Sequence, residues 1–255
     1  MVNLLHSTSG SITLYGTPID GAPLHVPTTV GYMPQETHSL NTLTVGEALY
    51  FTAHLRGMSR AEARRERDSL LELWQIEDLR DKDNSRLSGG QRRLLRLAVS
   101  MAGSLPVLIL DEPTNDLDPL RRRLVWEVLR TVNRERGTTI IFITHDAIEA
   151  EKVIERVGIM RNGALVAVGR PSDLKRAIDR KLRLELFTAA PLDLPPDLPR
   201  HQLQPGRWLL LLEWEQATAV LNALDMDRIE DFRLYSATLE DLYVHYASRT
   251  GEETS

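Results

Sequence analysis

The sequence predicts an α/β protein with a mainly parallel sheet and helices packed on it, followed by a small α+β appendage. Three observations carry that prediction. Short β-rich apolar runs alternate with longer amphipathic segments through most of the chain, and alternation of this kind builds a parallel sheet. Two runs, Val107–Leu110 and Ile140–Ile143, are uninterrupted, the pattern of strands buried on both faces. Pro191, Pro195, Pro196, Pro199 and Pro205 then break the chain between residues 180 and 206, which reads as a boundary or long loop. We therefore expect one domain over 1–180 and a second over 181–255.

Taken in order, strands are expected at Ser11–Tyr15, Thr29–Met33, Val107–Leu110, Thr138–Thr144, Val157–Met160 and Ala164–Val168, each a short apolar stretch rich in β-formers. Helices are expected at Val45–Arg56, Arg60–Trp74, Gly90–Ala102, Leu120–Arg136 and Ile148–Ile154, where apolar residues recur at helical spacing. Asp118 and Pro119 open the fourth of these as N-cap and first-turn proline. From about residue 181 onward, Leu182–Phe187 and Trp208–Trp214 read as strands, Gln216–Leu224 as a helix, Ile229–Leu234 as a strand and Leu239–Ala247 as a helix.

Composition narrows the function. The chain has 255 residues, 42% hydrophobic and 26% charged, an ordinary globular balance. Its 36 acidic residues exceed its 31 basic ones, for a formal net charge of −5, so no general positive field draws it to nucleic acid. Cysteine is absent, which excludes disulfide frameworks, thiolate zinc sites and cysteine nucleophiles. Every apolar run is far shorter than the roughly 20 residues that span a bilayer. Met1 to Ser11 lack the pattern of a secretory signal, and we expect a cytoplasmic protein.

The most specific motif is Leu87-Ser88-Gly89-Gly90-Gln91, followed at once by a helical pattern. A serine and two glycines at a helix start present unpaired backbone N–H groups and a hydroxyl at the positive end of the helix dipole, an arrangement suited to phosphate. A plain serine N-cap with a flexible turn explains the same residues. The run Val107–Leu110 ends in Asp111-Glu112-Pro113-Thr114, which places two carboxylates at the edge of a parallel sheet, where such folds bind ligands. Asp111 there suits Mg²⁺, and Glu112 suits orientation of a water for attack on a phosphoryl group. The second run repeats the geometry as a buried strand ending in Thr144-His145-Asp146, with His145 in reach of a terminal phosphate.

With these motifs in place, the chain resembles the ATP-binding subunits of ABC transporters, from about Ser9 to Asp173. Leu87–Gln91 matches that family's signature pentapeptide, Leu108–Glu112 its Walker B strand, Asn115–Asp118 its D-loop, with Asp116 where Gly or Ala is usual, and His145 its switch histidine. Gly31-Tyr32-Met33-Pro34-Gln35 matches its Q-loop, and Leu43–Leu49 the segment that opens its helical subdomain. Ala237–Tyr243 resembles the ending of the drug-resistance branch.

The resemblance implies a P-loop NTPase-type sheet with a helical subdomain over about 42–100. It implies ATP and Mg²⁺ as ligands, with Glu112 and His145 catalytic, Asp111 and Gln35 at the metal, and Leu87, Ser88, Gly89, Gly90, Gln91 and Asp118 at the nucleotide. Two ATP-binding subunits, identical or different, would enclose ATP, each signature facing the nucleotide of the other. A separate ABC-2 type permease would hold them peripherally at the inner face of the cell membrane. The family's phosphate loop, G-x-x-x-x-G-K-[ST], is not in this sequence: Lys82, Lys152, Lys175 and Lys181 follow Asp81, Glu151, Leu174 and Arg180. We expect an N-terminal truncation of the nucleotide-binding core. Two other readings compete with an exporter ATPase: a degenerate subunit that lends only its signature in trans, and a soluble non-transport ABC ATPase. The acidic charge and the lack of cysteine argue against the last.

Overall fold

The computed structural model describes residues 7–19, 25–35, 42–146, 151, 153–178, 181–188 and 200–248. The chain folds as two units, 1–145 and 146–255.

In the first unit, the short hairpin β1 (Thr13–Leu14) and β2 (Thr17–Pro18) precedes β3 (Val30–Met33). Helices α1 (Val45–Leu55), α2 (Arg60–Leu73) and α3 (Gly89–Met101) follow, then β4 (Val107–Asp111), α4 (Pro119–Arg136) and β5 (Thr139–Ile143). Each of the first three helices starts in a reciprocal capping box, Thr44 with Glu47, Ser59 with Glu62 and Ser88 with Gln91, which satisfies orphan N–H groups on both sides of each cap. β3, β4 and β5 form a parallel sheet with β4 in the middle, Tyr32 opposite Ile109 and Ile109 opposite Ile141.

The side chains of β4 alternate between two cores. Leu108 and Leu110 join the helical core with Leu49, Leu70, Trp74, Leu97 and Val125. Val107 and Ile109 pack with Ile19, Val26 and Val30 on the other face. Helix α3 passes β3 at Gly31, where a Cβ would stand 2.1 Å from the Ser100 carbonyl oxygen; only glycine permits that approach. At its far end, α3 is held by Arg56, whose Nη1 donates to the carbonyls of Val99 and Ser100, each at 3.1 Å.

The second unit contains the hairpin β6 (Val157–Arg161) and β7 (Ala164–Gly169), then α5 (Pro171–Ile178) and β8 (Leu182–Thr188). β9 (Arg200–Gln204), β10 (Arg207–Leu212), α6 (Trp214–Ala223), β11 (Ile229–Tyr235) and α7 (Leu239–Ser248) complete it. Its sheet is antiparallel in the order β11-β8-β10-β9. Leu184, Leu186, Leu210 and Leu212 pack beneath Ala217 and Val220 of α6. Leu239 and Leu242 of α7 pack with Ile159, Leu174 and Ile178.

Four sequence expectations change. β5 is not a buried strand: Ile141 and Ile143 are 37% and 49% exposed, because β5 is an edge of the sheet among the described residues. β6 and β7 are not part of the parallel sheet but a hairpin, turned by Asn162 and Gly163 at φ 50° and 79°, the geometry of a two-residue primed turn. The chain divides after His145 rather than near residue 180, since β6, β7 and α5 share a core with α7. Finally, Arg200–Gln204 within the proline-rich stretch is a strand, and Trp214 starts a helix instead of ending a strand. The helix expected at Ile148–Ile154 falls largely outside the described residues.

Candidate nucleotide site

The parallel strands deliver their carboxyl ends to one edge of the sheet. β4 ends in Asp111, half-buried and opposite Ile143. Glu112 follows in the left-handed region at φ 49°, an uncommon conformation for a side chain of this size. Its backbone N–H donates to the Ile143 carbonyl at 2.9 Å, and its carboxylate, buried at 8% exposure, accepts three hydrogen bonds. Thr144 Oγ1 donates at 3.1 Å, the His145 N–H at 3.1 Å and His145 Nδ1 at 2.7 Å. The structure thus brings Glu112 and His145 into direct contact. With the carboxylate accepting, Nδ1 carries a ring proton in this contact. The His145 side chain is 77% exposed.

Ser88, Gly89, Gly90 and Gln91 begin α3. Ser88 Oγ accepts from the Gln91 N–H at 3.3 Å, and Gln91 Oε1 accepts from the Ser88 N–H at 3.1 Å, so the serine is a working cap. The amides of Gly89 and Gly90 lie in the first turn, where no intrahelical acceptor exists. A Cβ on Gly89 would meet open space, whereas one on Gly90 would stand 2.7 Å from Arg121 Nη1. The α3 start therefore lies against the α4 start, where Asp118 Oδ1 caps the Arg121 N–H at 3.0 Å and Oδ2 accepts from Arg121 Nη1 at 3.1 Å. The hydrogen bond from the Arg121 amide holds the Asp118 carboxyl below the usual carboxylate range. Leu87 is buried in the helical core and serves as an anchor. Gln35 sits exposed just beyond β3. Asp111 and Glu112 with His145, the Ser88–Gln91 start with Asp118, and Gln35 are the groupings the fold makes.

Sequence reasoning did not single out Arg93 and Arg96. Arg93 Nε donates to the Asn115 carbonyl at 3.2 Å. Burial lowers its pKa, against the pull of Asp116, Glu112 and Asp111. Arg96 Nη2 donates to the carbonyls of Pro34 and Gln35. The available signal was arginine at apolar-phase positions of an amphipathic helix directly after the motif.

A parallel sheet with a carboxylate pair ending its central strand and a Gly-Gly helix start nearby defines the class, a P-loop NTPase-type α/β fold. Comparison with known proteins narrows it. Residues 1–115 match the ABC transporter family. Nod factor export ATP-binding protein I of Burkholderia thailandensis is 37% identical over 174 residues, 68% of this chain and 57% of that protein. The retinal-specific phospholipid-transporting ATPase of Homo sapiens is 36% identical over 186 residues, 73% of this chain and 8% of that protein. Among solved structures, an ATP binding subunit of an ABC transporter superposes with a TM-score of 0.63 at 25% identity, covering 69% of this chain and 73% of the other. A dimeric ATP-binding cassette bound to ADP and Pi after hydrolysis gives 0.58 at 23% identity, covering 64% and 74%, a likeness of fold. The likeness to ABC transporter ATP-binding proteins thus includes residues 1–115, and the chain spans only part of the length of its curated relatives. No described helix is long and apolar enough to cross a membrane.

Proposed function

We propose that this chain is the ATP-hydrolysing, energy-coupling subunit of an ABC exporter of the drug-resistance branch. It works as one of two ATP-binding subunits and is held at the inner face of the cell membrane by an ABC-2 type permease. The observation that supports this reading most is Glu112 itself, fixed between the ends of β4 and β5 with its carboxylate bonded to His145. Oε2 carries one hydrogen bond, from Thr144, which leaves it a lone pair to accept a proton from the water that attacks the γ-phosphate. Phosphoryl transfer depends on placing that water and compensating the developing charge. His145 Nε2, protonated, is a donor toward phosphate oxygen, and the Gly89 and Gly90 amides are anion donors for a nucleotide held by the second subunit.

Mg²⁺ fits the oxygen donors present: it takes one or two protein oxygens and completes its shell with phosphate and water. Asp111 and Gln35 would hold it, and it would neutralise phosphate charge. The phosphate loop absent from these 255 residues must come from elsewhere for hydrolysis to occur. The open space beside Gly89 at the α3 start supports a second reading, in which the chain lends only its Ser88–Gly90 start to a nucleotide bound by a partner.

The test is phosphate release by the chain assembled with its permease and a second ATP-binding subunit. Glu112→Gln lowers release about a thousandfold if this chain's own acid performs the chemistry, within the range for loss of a general base. Release unaffected by Glu112→Gln but suppressed by Ser88→Arg decides for the second reading.

A further inference from the structure

We infer that Arg93 and Arg96 are positioning residues: one turn apart on α3, they tie the helix that starts at Ser88 to the two chain segments that leave β3 and β4 at the candidate site. Residues three apart share a helix face, and these two reach in different directions from it. Arg96 Nη2 donates to the Pro34 carbonyl and, at 3.5 Å, to that of Gln35. Arg93 Nε donates to the Asn115 carbonyl at 3.2 Å. The acceptors are main-chain oxygens of segments beyond the sheet ladder, so each arginine fixes backbone rather than another side chain.

Packing alone does not explain them. Arg93 is 8% exposed, and its Nη1 is buried without a partner. The nearest carboxylate, Asp116, stands 4.0 Å from Nη2 with its side chain 92% exposed, a geometry that contributes little. Burial lowers the pKa of both guanidinium groups, and the charge of Arg93 lowers that of Arg96 further. An apolar side chain of similar volume would fill this face without that penalty, since buried charges are often less stabilising than hydrophobic replacements. What the arginines hold accounts for their presence. Glu112 and Asp116 both adopt positive φ, 49° and 61°, and non-glycine residues keep such conformations only where the surroundings over-determine them. Arg93 supplies that constraint to the Asn115–Asp116 turn, and Arg96 supplies its counterpart beside Gln35. The Ser88 helix start, Gln35 and the Glu112–Asp118 segment therefore shift as one body. The inference rests on the nucleotide reading above for its catalytic meaning, but the tether itself is testable without nucleotide.

The experiment is amide hydrogen exchange on the full chain and its Arg96→Met, Arg96→Lys, Arg93→Met and Arg93→Lys variants. Arg96→Met raises exchange in the peptide ending at Gln35, and Arg93→Met in the peptide spanning Glu112–Leu117, each about tenfold, as expected when a local opening loses one anchoring interaction. Exchange in α3 and β4 stays unchanged, and the lysine variants, which keep a donor of similar reach, restore protection. Unchanged exchange in these loops overturns the inference, and so does a rise spread evenly over α3 and β4, which would mark a packing role. In the complete assembly, both methionine variants lower kcat with little change in KM for ATP; an unchanged kcat despite raised exchange also overturns it. An assembly that hydrolyses no ATP even without substitution removes the proposed function, while exchange still decides the tether.

Discussion

In the C-terminal unit, charged side chains close on one another. Glu185, buried within the four-stranded sheet, pairs with Arg207, and Arg207 and Arg233 both lie 5.4 Å from the Phe187 ring centroid. Arg183 pairs with Asp241, and Lys175 with Glu151. In the N-terminal unit, the comparable groups keep capacity to spare. The Glu112 carboxylate has room for a further bond, Arg93 Nη1 has no partner, and a Cβ on Gly89 in the first turn of α3 would meet open space. One unit satisfies its polar groups to hold a sheet together. The other leaves buried polar atoms without a partner, Arg93 Nη1 beside the candidate site and Trp74 Nε1 in the helical core, and such atoms are uncommon in folded proteins.

That contrast can be broken most severely at Gly31. Its stability role is steric, and Gly31→Ala drives a methyl into the Ser100 carbonyl, costing about 3 kcal/mol as overpacking between strand and helix; the midpoint of denaturant unfolding measures it. A smaller effect compares two buried acids. Glu185→Ala removes the partner of Arg207 and destabilises by about 2 kcal/mol, discounted because Arg207 is partly exposed and can rehydrate. Glu112→Gln changes stability by less than about 1 kcal/mol, since residues placed for function are often not optimal for stability. Equal losses at the two positions would erase the distinction between the units.

The smallest effect concerns acid. Burial works to raise the Asp241 pKa, but hydrogen bonds from Arg183 and Thr238 outweigh it and leave the carboxyl below its ordinary value. A depressed folded-state pKa gives stability that is present above the unfolded value, about 3.9 for aspartate, and lost as pH falls through the folded one. Thermal melts should therefore fall more gently below about pH 4 for Asp241→Asn than for the unaltered chain. Parallel acid dependence would show that the Arg183 pair carries no net stabilisation.

Elements with local signals were legible in the sequence. β4 announced itself by four apolar residues, α4 by Asp118-Pro119, and α3 by its capping serine. β9 did not, because Arg200–Gln204 is exposed along its whole length and is a strand only through its pairing with β10. The exposure of β5 was illegible for a related reason: an apolar run records what a strand can bury, not which neighbours it has. The prolines marked a connection inside the antiparallel sheet instead of a boundary, because β8 precedes them and pairs with β10 beyond them. At the site, the motif residues stood at their positions in the text of the chain. The contact of His145 with Glu112 joins residues 33 apart, and the reach of Arg93 to Asn115 spans 22; only folding reveals such pairs.

The segment Thr139–Ile143 has a consequence for the protein in the test tube. Thr-Ile-Ile-Phe-Ile carries no charge and no proline, and two of its isoleucines face solvent. Such a stretch is a template on which further chains can stack as strands. Arg134 and Arg136 before it and Asp146 after it are the gatekeepers that oppose stacking by repulsion. High salt weakens that repulsion, so concentrated stocks should be kept at low ionic strength, and heating in brine should bring precipitation before cooperative melting.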